Sequence, residues 1–245
     1  LQLELARAQR VEPLGLAEIT ELVCRTFSMD PQIVGHFAAV LFGWTRGNPF
    51  FAEEILKSLA ASGSITPEAG AWTEWSARDF DLPPSIRDSV VTSMAAYSQD
   101  ARVTAELAAV IGTRATYPLL ARISGLGESN LLAALQELCS HHVLSERVDG
   151  GTVVYDFRHA VVRQTLYQDF GLQRARILHG AVAEAMEAYW GEAAALHADE
   201  LAYHFARADA ERLTDKAVVY LVEAGRRALA RHADREAADY LRGAR

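Results

Sequence analysis

Lysine is nearly missing from this chain. Of its 24 basic residues only Lys57 and Lys216 are lysines, and neither follows a glycine-rich loop. No GxxxxGK[ST] segment occurs, so the backbone cradle for phosphates and the Mg²⁺-binding hydroxyl of a P-loop are absent. No acidic residue closes a buried apolar strand as a Walker-B carboxylate would; Asp156 stands within a hairpin strand. The chain therefore holds no ATP-hydrolysing centre of that kind and is not itself expected to be an enzyme. Cysteine is equally scarce. Cys24 and Cys139 fall in helical patterns without CxxC or Cys/His spacing, which excludes a disulfide framework and fits small core residues of a reduced, cytoplasmic protein. Among the histidines, His197 and His204 lie seven apart rather than four, and His141-His142 has no partner cluster, so no metal site is expected. No GxSxG or paired-carboxylate signature appears. No apolar run approaches the roughly 20 residues that span a bilayer. The start, Leu1-Gln2-Leu3-Glu4-Leu5, is neither a signal peptide nor a methionine start, and the expectation is a piece of a longer chain. A formal charge of -8 argues against a general nucleic-acid or anionic-membrane surface.

What is present is apolar residue at 50% of 245 positions, ample for one large or two to three small packed domains. Leu16, Ile19, Leu22, Val23 and Phe27 mark a first helix. Asp30-Pro31 starts a second, since Asp is a good N-cap and Pro fits the first helical position. Its stripe is Ile33, Val34, Phe37, Val40, Leu41 and Trp44. Thr45-Arg46-Gly47 ends it, and Asn48-Pro49 opens a third helix that closes near Ser62-Gly63. Ile65-Thr66 and Ala71 to Trp75 suit a small hairpin.

From Leu82 the pattern changes. Pro83-Pro84 starts a helix with Ile86, Val90, Val91 and Met94, and Ser98 caps the next, with Val103, Leu107, Val110 and Ile111. Pro118 to Ile123 and Glu128 to Ser140 follow as helices. Val143 to Val148 and Thr152 to Phe157 then flank Asp149-Gly150-Gly151, a strong hairpin signal. Helices followed by a two-stranded wing outline a winged helix. Its recognition position, Glu128 to Ser140, has no lysine or arginine and two glutamates, so it lacks the donors that pair phosphates and read bases. Beyond Tyr167 the chain reads as helical to its end. Leu178, Val182, Met186 and Trp190 form one stripe, with Ile177, Ala181, Ala185 and Tyr189 beside it as a second buried face. Gly225, Ala237, Leu241 and Ala244 fall at offsets of a tetratricopeptide repeat, although Leu221 stands where a tryptophan is usual.

Two local features carry chemistry. His159 sits where a strand runs into a helix, beside unpaired backbone N–H groups that can hold an anion. A histidine at a helix start is more often a capping or packing residue than a ligand. The Gly47-Asn48-Pro49 turn is explained structurally as a helix stop and restart.

Phe157-Arg158-His159-Ala160-Val161-Val162-Arg163-Gln164-Thr165-Leu166-Tyr167, followed by Arg174 to Ala183, resembles the "FRHALVREALY…RRALHRRVAEAL" signature of STAND-type (AAA+-related) signal-transduction ATPases. These include large LuxR-type transcriptional regulators and the ATPase modules attached to cyclases and protein kinases. Arg46 to Leu56 is similar to their "GGNPFFVEEL" segment and Leu82 to Val90 to their "LPPSVRDAV". The resemblance implies a mostly α chain in three parts: a helical domain over 1–80 with the GNP motif, a winged helix over 81–170, and a TPR-like solenoid start over 171–245. It implies cofactor binding through Gly47, Asn48, Pro49, Arg158 and His159, with Pro49 packing on adenine and His159 sensing the phosphates of ADP. ATP or ADP, with Mg, would be bound mainly by an N-terminal domain outside this chain. ADP would lock a closed state, and exchange for ATP would release the winged helix and permit assembly. Protein partners or self-oligomerisation would run through the helical repeats, and DNA would be met only by a domain elsewhere. The alternative is a nucleotide-independent helical adaptor for protein partners.

Overall fold

The computed structural model describes residues 12–62, 82–112, 115–208 and 210–244. They are mostly α, with one small antiparallel sheet. The chain forms two compact units, one of residues up to Ser89 with His159–Val161, the other of Val90–Arg158 and Val162–Arg245.

In the first unit three helices follow one another: α1 (Leu16–Phe27), α2 (Pro31–Thr45) and α3 (Pro49–Ser62). Each starts where the sequence supplies a cap. Asp30 accepts from the Gln32 N–H at 2.8 Å, with Pro31 as the first helical residue, whose missing N–H costs nothing there. Ile19 and Val23 of α1, Val34, Phe37 and Leu41 of α2, and Ile55 and Leu59 of α3 are fully buried. Their i, i+3, i+4 spacing gives each helix one apolar stripe, and the three stripes share a core. The hairpin expected around Ile65 and Ala71 lies outside the described residues.

Helix α4 (Pro84–Ala95) follows, its residues divided between the two units. In the second unit come α5 (Gln99–Ile111), β1 (Ala115–Thr116), α6 (Tyr117–Ser124), α7 (Glu128–Ser140), β2 (Leu144–Asp149) and β3 (Thr152–Phe157). The sheet order is β1-β3-β2, with Val148 opposite Val153 and Ala115 opposite Tyr155. Gly150 and Gly151 turn the hairpin at φ 56° and 82°, where side-chain-bearing residues are strained. On β3 the consecutive residues Val154 and Tyr155 are both buried. Successive strand residues point to opposite faces, so this central strand is covered on both. Ser98 caps α5 through the Ala101 N–H, and its own N–H and hydroxyl reach Glu137 of α7 at 3.0 and 2.6 Å. Those donors hold the Glu137 carboxyl below its ordinary range.

After α8 (Ala160–Gln168) the unit continues with α9 (Leu172–Trp190), a 3-10 segment (Gly191–His197), α10 (Ala198–Phe205), α11 (Ala210–Ala230) and α12 (Asp234–Gly243). On α9 the expected second apolar face is displaced. Ile177 and Tyr189 are 58% and 42% exposed, while His179, Gly180 and Ala183 are buried instead. Gly180 is the reason on one side: Leu213 and Ala208 come within 3.5 Å of where its Cβ would be, so the neighbouring chain lies against this narrow point. The 3-10 segment ends α9 by stacking His197 on Trp190, ring centroids 4.0 Å apart. Arg227 of α11 bonds the carbonyls of Ala195 and Leu196, which a 3-10 turn leaves short of partners. Gly225 of α11 meets Leu241 of α12, and Ala237 is buried at their contact. No helix among the described residues is long and apolar enough to cross a membrane.

Candidate functional site

The site grows from the end of α2. Thr45, its last residue, is fully buried, and its hydroxyl bonds the Leu41 carbonyl at 2.8 Å. Arg46 then takes a left-handed conformation, φ 50°, and Gly47 follows at φ 74°. A Cβ on Gly47 would lie 1.9 Å from the Leu14 carbonyl oxygen, and the Leu14 N–H donates to the Gly47 carbonyl at 2.9 Å. Glycine is required here on two grounds, φ and close backbone approach. Asn48 turns the chain back into α3: its N–H donates to the Thr45 carbonyl at 3.0 Å and its Oδ1 accepts from the Phe50 N–H at 3.0 Å. Pro49, the first residue of α3, presents an exposed ring, rigid, apolar and without an N–H donor.

His159 reaches the same turn. Its Nδ1 lies 2.9 Å from the Thr45 carbonyl oxygen, and its ring meets Phe51 edge-on with centroids 5.6 Å apart. A carbonyl only accepts, so Nδ1 carries the proton and the Thr45 oxygen uses both lone pairs, one for His159 and one for Asn48. In the neutral ring Nε2 is then an acceptor. Holding an anion there takes the doubly protonated imidazolium. Ser85 of α4 donates to Glu54 of α3, and with Lys57 it holds that half-buried carboxyl below its ordinary range. All three sequence segments that carry the resemblance thus contribute residues to one compact unit. Gly47, Asn48, Pro49 and His159 share that unit. Arg158 belongs to the other, its N–H bonded to the Val143 carbonyl at 3.0 Å and its side chain exposed.

The second unit contains groupings with no local signature in the sequence. His179 and His204 are buried with their Nδ1 atoms 2.9 Å apart, and the Tyr167 hydroxyl lies 2.8 Å from His179 Nε2. Burial lowers His179 to about 4 and His204 to about 3, with Arg207 adding to both and His179 to His204. Both rings are therefore neutral in the fold, and the Nδ1–Nδ1 axis holds a single proton. Their 25-residue separation hides the pair from any spacing rule. The solvent side of α7 carries Glu128, Ser129, Leu132, Ala133 and Gln136, which supplies no cation for phosphate or base contacts. Among the described residues no group of three or more His, Cys, Asp and Glu is disposed to hold a metal ion.

No protein-family model matches the chain. An uncharacterized protein of Rhizobium meliloti (strain 1021) is 32% identical over 196 residues, which is 80% of this chain and 18% of that protein. The chain thus spans about a fifth of the length of the curated relative it matches.

Proposed function

We propose that this chain is the regulatory portion of a STAND-type ATP/ADP switch, coupling nucleotide state to assembly and output in transcriptional regulation or signal transduction. In this reading the P-loop and Mg²⁺ belong to a domain outside the chain. Pro49 offers an apolar face to the adenine, while His159 meets the phosphates as imidazolium. The observation that supports it best is the hydrogen bond from His159 to the Thr45 carbonyl. Two segments singled out separately by resemblance are held against each other, and the turn that presents Pro49 is braced by the residue proposed to sense phosphate. The much greater length of the Rhizobium relative is compatible with such a module inside a larger protein. A cytoplasmic location, and partners engaged through the helices after α8, belong to the same proposal.

The test is His159→Ala and Pro49→Ala in the full-length parent, read as co-purified ADP and oligomeric state. Loss of one charge-assisted hydrogen bond is expected to weaken ADP retention roughly 10- to 100-fold and to shift the population toward the assembled state. Unchanged nucleotide content and assembly in both variants would leave the nucleotide-independent adaptor as the better reading.

A further inference from the structure

The histidine pair of the second unit has a consequence for motion that is independent of the nucleotide reading. His179 belongs to α9 and His204 to α10, helices that pack on each other, and the two buried rings meet with their Nδ1 atoms 2.9 Å apart. Across that distance one N–H can point at one lone pair, whereas two N–H bonds aimed at each other would collide. In the neutral pair one ring donates along the axis and the other accepts. The Tyr167 hydroxyl, 2.8 Å from His179 Nε2, serves either arrangement, because it donates when that nitrogen is bare and accepts when it is protonated. A single added proton takes an outer nitrogen and leaves the axis intact. A second finds only the axis lone pair, and filling it sets two cations against each other.

Surrounding charge adds to that repulsion. Arg207, whose guanidinium lies 3.8 Å over the ring of Tyr203, bears on both imidazoles, and the Tyr203 ring meets each of them edge-on. From α8, Arg163 acts on Tyr167. Glu187 of α9 is held by Lys216 and Tyr220 of α11, and Glu106 of α5 by Arg174. On α10, Asp199 and Glu200 are near Arg227 and His197. Arg122 is the one charged residue of α6, and it is exposed. We propose that His179 and His204 form a two-proton latch: their shared proton holds α10 on α9, and protonation of both rings releases α10 and uncovers Leu201 and Phe205, which are buried in the closed form. The release is local. An eight-residue helix such as α10 does not persist without tertiary contact, while α11 stays on α9 through Lys216 and Tyr220 at Glu187.

Amide hydrogen exchange and nitrogen-15 histidine NMR of the 245-residue chain test this. At pH 7.5 a scalar coupling between the two Nδ1 nuclei is expected across the hydrogen bond. Between pH 6 and pH 5 the closed rings, with values of about 4 and about 3, stay neutral, while released rings titrate near 6.5. Opening should therefore become about 60-fold more favourable over that unit, the square of the factor of about 8 for one ring. The readout is exchange over Ala198–Phe205, corrected for intrinsic rates, with protection over Glu128–Ser140 not following. In His204→Asn, whose amide can still accept from His179, the factor should fall to about 8. Should that variant fail to fold, His179→Asn is its reciprocal, and the wild-type factor decides without either. A wild-type factor near 8, an undiminished factor in a folded variant, α7 amides that follow α10, or no coupling between the Nδ1 nuclei would each overturn the proposal.

Discussion

The Thr45 carbonyl oxygen accepts a hydrogen bond from His159 Nδ1 at 2.9 Å across a separation of 114 residues. This bond ties the residue between β3 and α8 to the turn between α2 and α3, within the first unit. Replacing His159 by Phe keeps a ring against Phe51 but removes the donor. Because Asn48 still satisfies the buried acceptor, the expected loss is that of one net hydrogen bond, about 1 kcal/mol. Urea unfolding of the two proteins measures it through the shift in midpoint at unchanged slope.

Gly47 and Gly35 should respond oppositely to alanine. At Gly47 the new Cβ meets the Leu14 carbonyl oxygen at 1.9 Å, on top of a left-handed φ. That combination should cost about 3 kcal/mol or more. Gly35 lies inside α2 with open space around it, so Gly35→Ala should stabilise by about 0.5–1 kcal/mol through helix propensity. Thermal unfolding of the pair gives both signs in one experiment. A Gly47→Ala protein as stable as wild type would show that the turn is not held against Leu14.

Stability should fall in mild acid through His179 and His204. Their folded pKa values of about 4 and about 3 lie below the ordinary value of 6.5, so the unfolded chain takes up protons first as pH drops. Stability from this source is complete above about pH 6.5, declines as pH falls toward 3–4, and is flat below. At pH 5 each ring should cost about 2 kcal/mol relative to pH 7.5. Chemical denaturation at the two pH values, repeated on His204→Leu, checks this. A His204→Leu protein with the same pH slope as wild type would assign the acid sensitivity elsewhere.

Gly225 is the close point between α11 and α12, with Leu241 Cγ 2.9 Å from a would-be Cβ. Gly225→Val should push α12 away while leaving α2 untouched. Amide hydrogen exchange is the readout. Faster exchange over Asp234–Gly243 with unchanged protection over Pro31–Thr45 is expected, since α12 packs chiefly on α11 and stability is local. Exchange rates unaltered in α12 would mean that its packing tolerates the added methyls.

Caps and turns were legible in the sequence because their chemistry is local. Asp30-Pro31, Ser98, Asn48-Pro49 and Asp149-Gly150-Gly151 each satisfy backbone groups within a few residues, and the elements they bound lie where these signals put them. The mostly α class followed from the same signals. The two-residue strand β1 was not legible, since Ala115 and Thr116 are a strand only through pairing with Tyr155 and Val154. Nor was the buried face of α9, where periodicity favoured Ile177 and packing chose His179 and Gly180.

The sequence alone determined where helices and the β2–β3 hairpin begin and end, which residue types stand at the Gly47-Asn48-Pro49 turn and at His159, and the lack of a P-loop. The tertiary structure alone decided that His159 donates to Thr45 and that His179 faces His204. The reason is physical. A cap or turn is an interaction between near neighbours and leaves a pattern, whereas these contacts join groups on separate elements, and nothing in their spacing records which elements pack together.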